Sequence, residues 1–294
     1  MYFALFLLVI VVMAAASART IKNNYFVLGK SNSIDSKILG EKRKVWIYVP
    51  ASAKDPANSG KTYPVVYLLD GDAHFSWLNK MVQQLSGVNG VRLCQDMIVV
   101  AIPNINRTRD LTPSNYLYGP GGDQIKGFEV SGGGGKFIDF IEKELVPYID
   151  SVYPTDAYRA LFGHSFGGLA VMNMAVSRSE LFNAYVAIEP SMWWDNKKLL
   201  KQVREALKEG KFNGKSLFLG IANNMPAVMD IKEVRSDASA TTAHMRSVLE
   251  LADILDDNPD GSLKYTYKYY SDCDHNSVPA KAAYDAMNFL FRCG

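Results

Sequence analysis

Gly163-His164-Ser165-Phe166-Gly167-Gly168 joins a short apolar run, Tyr158 to Phe162, to a stretch of small and apolar residues with helical character. The spacing is Gly-x-Ser-x-Gly in a strand-to-helix setting, where a serine on so sharp a turn is held proud of the sheet. A hydroxyl placed there is a candidate nucleophile. The backbone N–H of Phe166, the next residue, points at any oxyanion that forms beside it. Small residues at 163, 167 and 168 let strand and helix approach closely.

Outward from this turn, apolar runs of strand length alternate with amphipathic helical stretches. That is the pattern of a mostly parallel sheet with helices on both faces, an α/β fold. Strands are expected at 44–49, 63–69, 97–103, from Asp156 into the turn, and at 184–188, 216–221 and 263–270. Helices are expected at 74–85, 136–152, 196–209, 240–255 and 279–291. The segment from Asn104 to Gly135 has no clear period and holds two glycine clusters, and loops of that length in a compact domain are usually functional or mobile. The second cluster, Gly132 to Gly135, lacks the following Lys-Ser/Thr pair of a phosphate loop and reads as a hinge before a helix.

The chain begins with an apolar run from Phe3 to Met13 that turns small and ends Ala16-Ser17-Ala18 before Arg19. This reads as an export signal over 1–18, cleaved after Ala18, leaving one domain over 19–294 and a secreted or periplasmic protein. An apolar core of about eleven residues is short of the ~20 a spanning helix needs, so no stable membrane insertion is expected after signal removal. With Lys+Arg 32 against Asp+Glu 30 and no basic stripe, nucleic acid is not an expected partner. Three cysteines allow at most one internal bridge. Cys273 and Cys293 flank the final helix, ~20 Å long at 1.5 Å per residue, so they cannot pair; Cys94 to Cys293 is the bridge the topology permits.

A serine needs a base to take its proton. Of four histidines, His164 flanks the candidate nucleophile, His74 opens an early helix and His244 falls in an amphipathic helix. His275 sits in the loop after the last strand, where the chain order Ser…acid…His puts the base.

The sequence resembles the Putative esterase branch of the α/β-hydrolases, which includes enterochelin and other trilactone siderophore esterases, esterase D and feruloyl esterases. The resemblance is carried by Tyr67-Leu68-Leu69-Asp70-Gly71-Asp72-Ala73-His74-Phe75, Arg107-Thr108-Arg109-Asp110-Leu111-Thr112-Pro113, the serine turn, Pro190-Ser191-Met192-Trp193-Trp194-Asp195 and Asp274-His275-Asn276-Ser277-Val278-Pro279. It implies a single-domain α/β-hydrolase fold and a serine esterase working through an acyl-enzyme on a trilactone siderophore or on acyl or feruloyl esters of carbohydrate. It also implies that the N–H of Asp72 joins that of Phe166 in holding the oxyanion. An acyltransferase of the mycolyltransferase type and a non-catalytic binding module are the rival readings on the same fold.

The acid departs from the family pattern. Relatives near the feruloyl esterases carry one just after the strand that here ends Gly220-Ile221-Ala222-Asn223-Asn224, and an asparagine amide cannot stabilise an imidazolium by charge. Glu189, after the preceding strand, and Asp230, beyond the asparagines, are the replacements, with an acid-free dyad as a third option; Glu189 is favoured. Arg107 and Arg109 are candidates to grip a carboxylate or catecholate, and Trp193 and Trp194 offer flat apolar surface to an aromatic substrate group. No cluster of Cys, His and carboxylates has metal-ligand spacing, and neither a metal nor another cofactor is expected.

Overall fold

In a computed structural model, residues 29–87, 90, 92–257 and 261–292 are described. The expected export signal and Cys293 lie outside them. Eight strands form one sheet: β1 (Lys30–Ser36), β2 (Glu41–Tyr48), β3 (Tyr63–Leu68), β4 (Ile98–Ala101), β5 (Thr155–His164), β6 (Ala184–Ile188), β7 (Ser216–Ala222) and β8 (Lys264–Tyr270). Their order is β1-β2-β4-β3-β5-β6-β7-β8. The pairs β1/β2 and β2/β4 are antiparallel, and the rest are parallel. This is the α/β-hydrolase architecture expected from the sequence.

The helices are α1 (Gly71–Leu85), α2 (Arg107–Leu111), α3 (Gly134–Phe140, continued by a π turn at Ile141–Leu145 and by Val146–Val152), α4 (Phe166–Ser177), α5 (Trp194–Lys208), α6 (Ile231–Ser236), α7 (Ala243–Asp256) and α8 (Val278–Phe291). The central strands are apolar on both faces, and their side chains alternate between two cores with the two-residue period of a pleated strand. Val65 and Tyr67 of β3 face one core with Leu169 of α4, Val203 of α5 and Val248 of α7. Val66 and Leu68 face the other, with Leu78 and Val82 of α1 and Ala282 and Met287 of α8. Each fully buried Val, Leu or Met contributes about 1.5–3 kcal/mol, which is why the apolar runs specify the layers.

Three elements were not expected. β1 is a polar edge strand, and among its residues only Ile34 is apolar. It is held by antiparallel pairing and by Asn32, whose Nδ2 donates to the hydroxyls of Tyr148 and Tyr153 on and beside α3. Helix α2 lies in the long segment read as a loop, and α6 in a stretch to which no element was assigned. At the amino edge, Cys94 is buried, its Sγ donates to Met287 O at 3.7 Å and its backbone pairs with Arg292; the Cys94–Cys293 bridge that the topology permits falls on a residue outside those described, and peptide mapping of non-reduced protein tests it.

The β5–α4 turn is as tight as the glycine spacing requires. A Cβ on Gly163 would lie 2.3 Å from the carbonyl oxygen of Gly167, and one on Gly168 would lie 2.9 Å from Cα of Pro190. Both obstacles are backbone. Gly163→Ala should therefore lower stability by about 1–3 kcal/mol or more, read as a fall in the thermal midpoint.

Candidate active site

Three neighbouring strands end in non-glycine residues with positive φ: Asp70 after β3 (52°), Ser165 after β5 (59°) and Glu189 after β6 (45°). Such conformations cost of order 1–3 kcal/mol each and persist only where surrounding bonds impose them. Here the ladder runs on past the strand ends. Gly71 N–H donates to Ile102 O at 3.0 Å, Ser165 N–H to Ile188 O at 3.0 Å and Glu189 N–H to Gly220 O at 2.9 Å. The result is three functional-type side chains fixed side by side at the carboxyl edge of the sheet.

Glu189 is fully buried and accepts four hydrogen bonds. Oε1 takes the Ala222 N–H at 2.6 Å, while Oε2 takes Asn224 Nδ2 at 2.5 Å, His244 Nε2 at 3.0 Å and His275 Nδ1 at 3.3 Å. Burial pushes its pKa up, but the donors from His244, His275 and Ala222 outweigh it and hold the carboxyl at about 2, so it is ionised at neutral pH. Asn224, where relatives were expected to carry the acid, does something else. Its Oδ1 accepts the His275 N–H at 2.9 Å and fixes the histidine loop. Asp230 is not brought here. Its carboxylate caps α6, accepting the Glu233 N–H at 2.8 Å while Glu233 reaches back to the Asp230 N–H.

All four histidines form one chain of rings, His74–His164–His275–His244, with centroid separations of 5.9, 4.5 and 4.9 Å. His164 Nε2 donates to the carbonyl oxygen of His275 at 2.8 Å. Burial, with the charges of His275 and His74, pushes the His164 pKa down to about 3, so it stays neutral. Burial likewise lowers that of His74. His244 is the residue that sequence reasoning set aside, because its spacing in α7 fits an ordinary buried helix face. Its Nδ1 accepts the Trp193 indole N–H at 3.1 Å, so Nε2 must carry the ring proton that bonds Glu189.

Glu189, His244 and His275 each offer a ligand atom within 4.8 Å of the others, a divalent-cation donor set that linear spacing could not reveal. The fit fails on chemistry. A metal at His244 Nε2 would need the lone pair that the Trp193 bond replaces with a proton.

A cleft of about 470 Å³ opens over these groups; Ser165, Phe166, His244, His275, Asn224 and Trp193 line it together with Arg107, Pro120 and Phe128. Phe166 and Asp72 lie in the first turns of α4 and α1, where N–H groups have no intrahelical carbonyl to reach. The Asp72 carboxylate accepts from the N–H and Nδ2 of Asn104. Arg107 reaches the cleft with a two-pronged bond to buried Asp70 at 2.7 and 3.0 Å, its guanidinium 5.3 Å from the centre of the Phe166 ring.

Two expected substrate contacts are corrected. Arg109 is committed to Glu41 and Asp110, in a network completed by buried Arg43, and does not line the cleft. Trp194 is 1 % exposed; it meets Phe166 edge-on at 5.1 Å and donates to Ser114 O, backing the cleft wall from behind. Behind it, Asp195, Asn196 and Lys197 form a left-handed turn. Asp195 accepts from Ser114 and Asn196 from Tyr116, which ties α5 to the long segment that carries Pro120 and Phe128.

Comparison with known proteins bears on the family and the fold. An IroE-like serine hydrolase from Shewanella oneidensis superposes with a TM-score of 0.79 at 35% identity, covering 90% of this chain and 80% of that one. The siderophore enterobactin esterase of Emericella nidulans is 31% identical over 157 residues, 50% of this chain and 52% of that protein. The ferri-bacillibactin esterase BesA of Bacillus subtilis is 29% identical over 191 residues, 62% of this chain and 65% of that protein. The chain thus aligns with between half and two thirds of the length of these curated relatives. The family model described as Putative esterase matches residues 36–218, more than half of the sequence, and the chain belongs to that family.

Proposed function

We propose that this protein is a serine esterase that opens the ester bonds of siderophores through an acyl-enzyme. The observation that carries the reading is the buried, ionised Glu189 bonded to Nδ1 of His275 in the cleft that also holds Ser165. With Nδ1 committed to the carboxylate, Nε2 at the far side of the ring is the nitrogen free to act as base. Ser165 Oγ attacks the ester carbonyl as His275 Nε2 takes its proton. The tetrahedral oxyanion rests on the N–H groups of Phe166 and Asp72, and the proton passes to the departing alkoxide as the C–O bond breaks. Water then repeats the sequence on the acyl-Ser165, releasing the acid and restoring the serine.

The siderophore assignment is supported by the activities for which the relatives are named and by a cleft that combines aromatic walls, Trp193 and Phe128, with one cation, Arg107. The open cleft favours hydrolysis over transfer to another alcohol, since a transferase must keep water from the acyl-enzyme. Export over residues 1–18 belongs to the same reading, and sequencing of exported protein should start at Arg19. The deciding experiment incubates the protein with iron-free and ferric trilactone siderophores and with a feruloyl ester, following linear products and intact mass. A Ser165 acyl adduct and ring opening are expected with a trilactone. Turnover of the feruloyl ester alone would move the substrate to the plant-polymer esters, and transfer in preference to hydrolysis when an alcohol is added would move the reaction to the acyltransferases.

The two arginines should now separate. Replacing Arg107 by an apolar residue would leave the buried Asp70 carboxylate with the Asn104 amide but without its counter-charge, so the informative variant is Arg107→Lys, which keeps the charge but loses the fork. Its KM for an anionic or catecholate substrate should rise about ten-fold, with a small neutral ester little affected. Arg109→Met should instead cost stability and leave both KM values near normal.

A further inference from the structure

Glu189 serves two imidazoles, and the reaction proposed above uses one. The second, His244, has both nitrogens committed. Nδ1 accepts from Trp193 Nε1 at 3.1 Å, and Nε2 donates to Glu189 Oε2 at 3.0 Å. An indole nitrogen is a donor only, and an ionised carboxylate an acceptor only, so a neutral His244 can hold both bonds in one tautomer. That tautomer is fixed from the cleft wall, because Trp193 is itself a lining residue.

We propose that His244 is a positioning residue for the Glu189–His275 pair and that the Trp193 N–H, by setting the His244 tautomer, keeps this Glu/His/His cluster from binding a divalent metal. The inference rests on the esterase reading only for its kinetic part.

In the other tautomer, Nδ1–H would face the indole N–H and the bare Nε2 would face the carboxylate. Both contacts would be repulsive, and Glu189 would lose one of its three side-chain donors. With the bond from Trp193 removed, that same bare Nε2 joins a carboxylate oxygen of Glu189 and a nitrogen of His275, whose ring proton would move to its other nitrogen, the three ligand atoms lying within 4.8 Å of one another. Two imidazoles and a carboxylate at this spacing are of the ligand type zinc takes, at about 2.0–2.2 Å each. Trp193 therefore acts at a distance from the serine in two ways: it holds the acid's partner in the donor form and withholds a ligand from metals. Neither role requires that Trp193 touch the reacting ester.

The first test needs no turnover. Nitrogen-15 histidine spectra of the wild-type chain should show His244 protonated at Nε2 and bare at Nδ1; an Nδ1–H form overturns the proposal. Trp193→Phe keeps an aromatic ring and deletes the N–H. Calorimetry with zinc chloride, done in the Ser165→Ala background so that catalysis plays no part, should show affinity at least ten-fold tighter in Trp193→Phe than in its parent. Adding His244→Gln should abolish the gain, and equal zinc affinity with and without the indole N–H overturns the metal-exclusion half.

For positioning, glutamine can donate to Glu189 and accept from Trp193, whereas phenylalanine can do neither. His244→Gln should keep kcat on a small neutral ester within about three-fold, and His244→Phe should lose about ten-fold or more with KM little changed and the acid limb of its pH profile moved. Equal kcat and pH profile in the two variants overturns the positioning role. Wild-type protein that turns over no ester would defeat the esterase reading while leaving the tautomer and zinc results to stand or fall by themselves.

Discussion

Ser165→Ala is expected to reduce ester hydrolysis by about four orders of magnitude or more, and His275→Ala by a similar factor. The two act as one unit: without the hydroxyl there is nothing to deprotonate, and without the imidazole the hydroxyl is a poor nucleophile. The double variant should therefore be no worse than either single one, and residual turnover should reflect binding and oxyanion contacts alone. Folding should survive both changes. Ser165 and His275 are half-buried at the sheet edge, outside the two cores. The strained backbone at 165, φ 59° and ψ −118°, burdens any residue with a Cβ, so alanine is no worse there than serine. Progress curves on protein of verified circular dichroism, with labelling by a serine-directed phosphonate, make the check. Turnover within ten-fold of wild type in either variant would remove Ser165 and His275 from the mechanism, and wild-type protein that neither labels nor turns over would favour a binding module.

The parts of this site that could be read from sequence are those where a local pattern forces a local geometry. The Gly-x-Ser-x-Gly turn is one, since Gly163 and Gly168 stand where backbone leaves no room for a methyl group. The apolar runs of β3, β5, β6 and β7 are another, because strands buried on both faces admit little else. What stayed hidden depends on contacts between distant segments. His244 lies 55 residues from Glu189, and its heptad-like setting in α7 is that of any core-facing residue. Arg107 and Arg109 are alternate residues of one short helix, so their sequence context is nearly the same, yet one turns to Asp70 beside the cleft and the other to Glu41 at the start of β2. Trp193 and Trp194 diverge for a similar reason: successive residues at a strand-to-helix turn cannot face the same way. β1 was missed because an edge strand held by ladder bonds and tyrosine hydroxyls has no need of the apolar alternation that reveals central strands.

Glu189→Gln should be the most damaging change outside the serine and histidine, lowering kcat by about 10²–10⁴. The isosteric amide fits the space but not the bonding. Four donors converge on the carboxylate, from Ala222, Asn224, His244 and His275, and a glutamine brings two hydrogens of its own to one of the two oxygen positions. At least one donor must turn away, and an imidazolium forming on His275 loses its counter-charge. The acid profile gives an independent reading. The Glu189 pKa is lowered from 4.5 to about 2, so its charged form stabilises the fold fully above about pH 4.5, and that contribution is lost as pH falls towards 2. A depression of this size corresponds to roughly 3 kcal/mol. His164, lowered from 6.5 to about 3, also favours the folded state less as pH falls, because the unfolded chain takes up the proton first. Acid unfolding of the wild type should thus begin below about pH 6.5 and steepen below 4.5. Glu189→Gln should be less stable at pH 7, keep the first limb and lose the second, so that its stability approaches that of the wild type at low pH. Asp230→Asn is the control: asparagine caps a helix about as well as aspartate, and activity should be unchanged. If Asp230→Asn were the crippled variant and Glu189→Gln were not, the acid would have to reach His275 from α6, which would require a rearrangement of the segment from Asn223 to Asp230 on substrate binding.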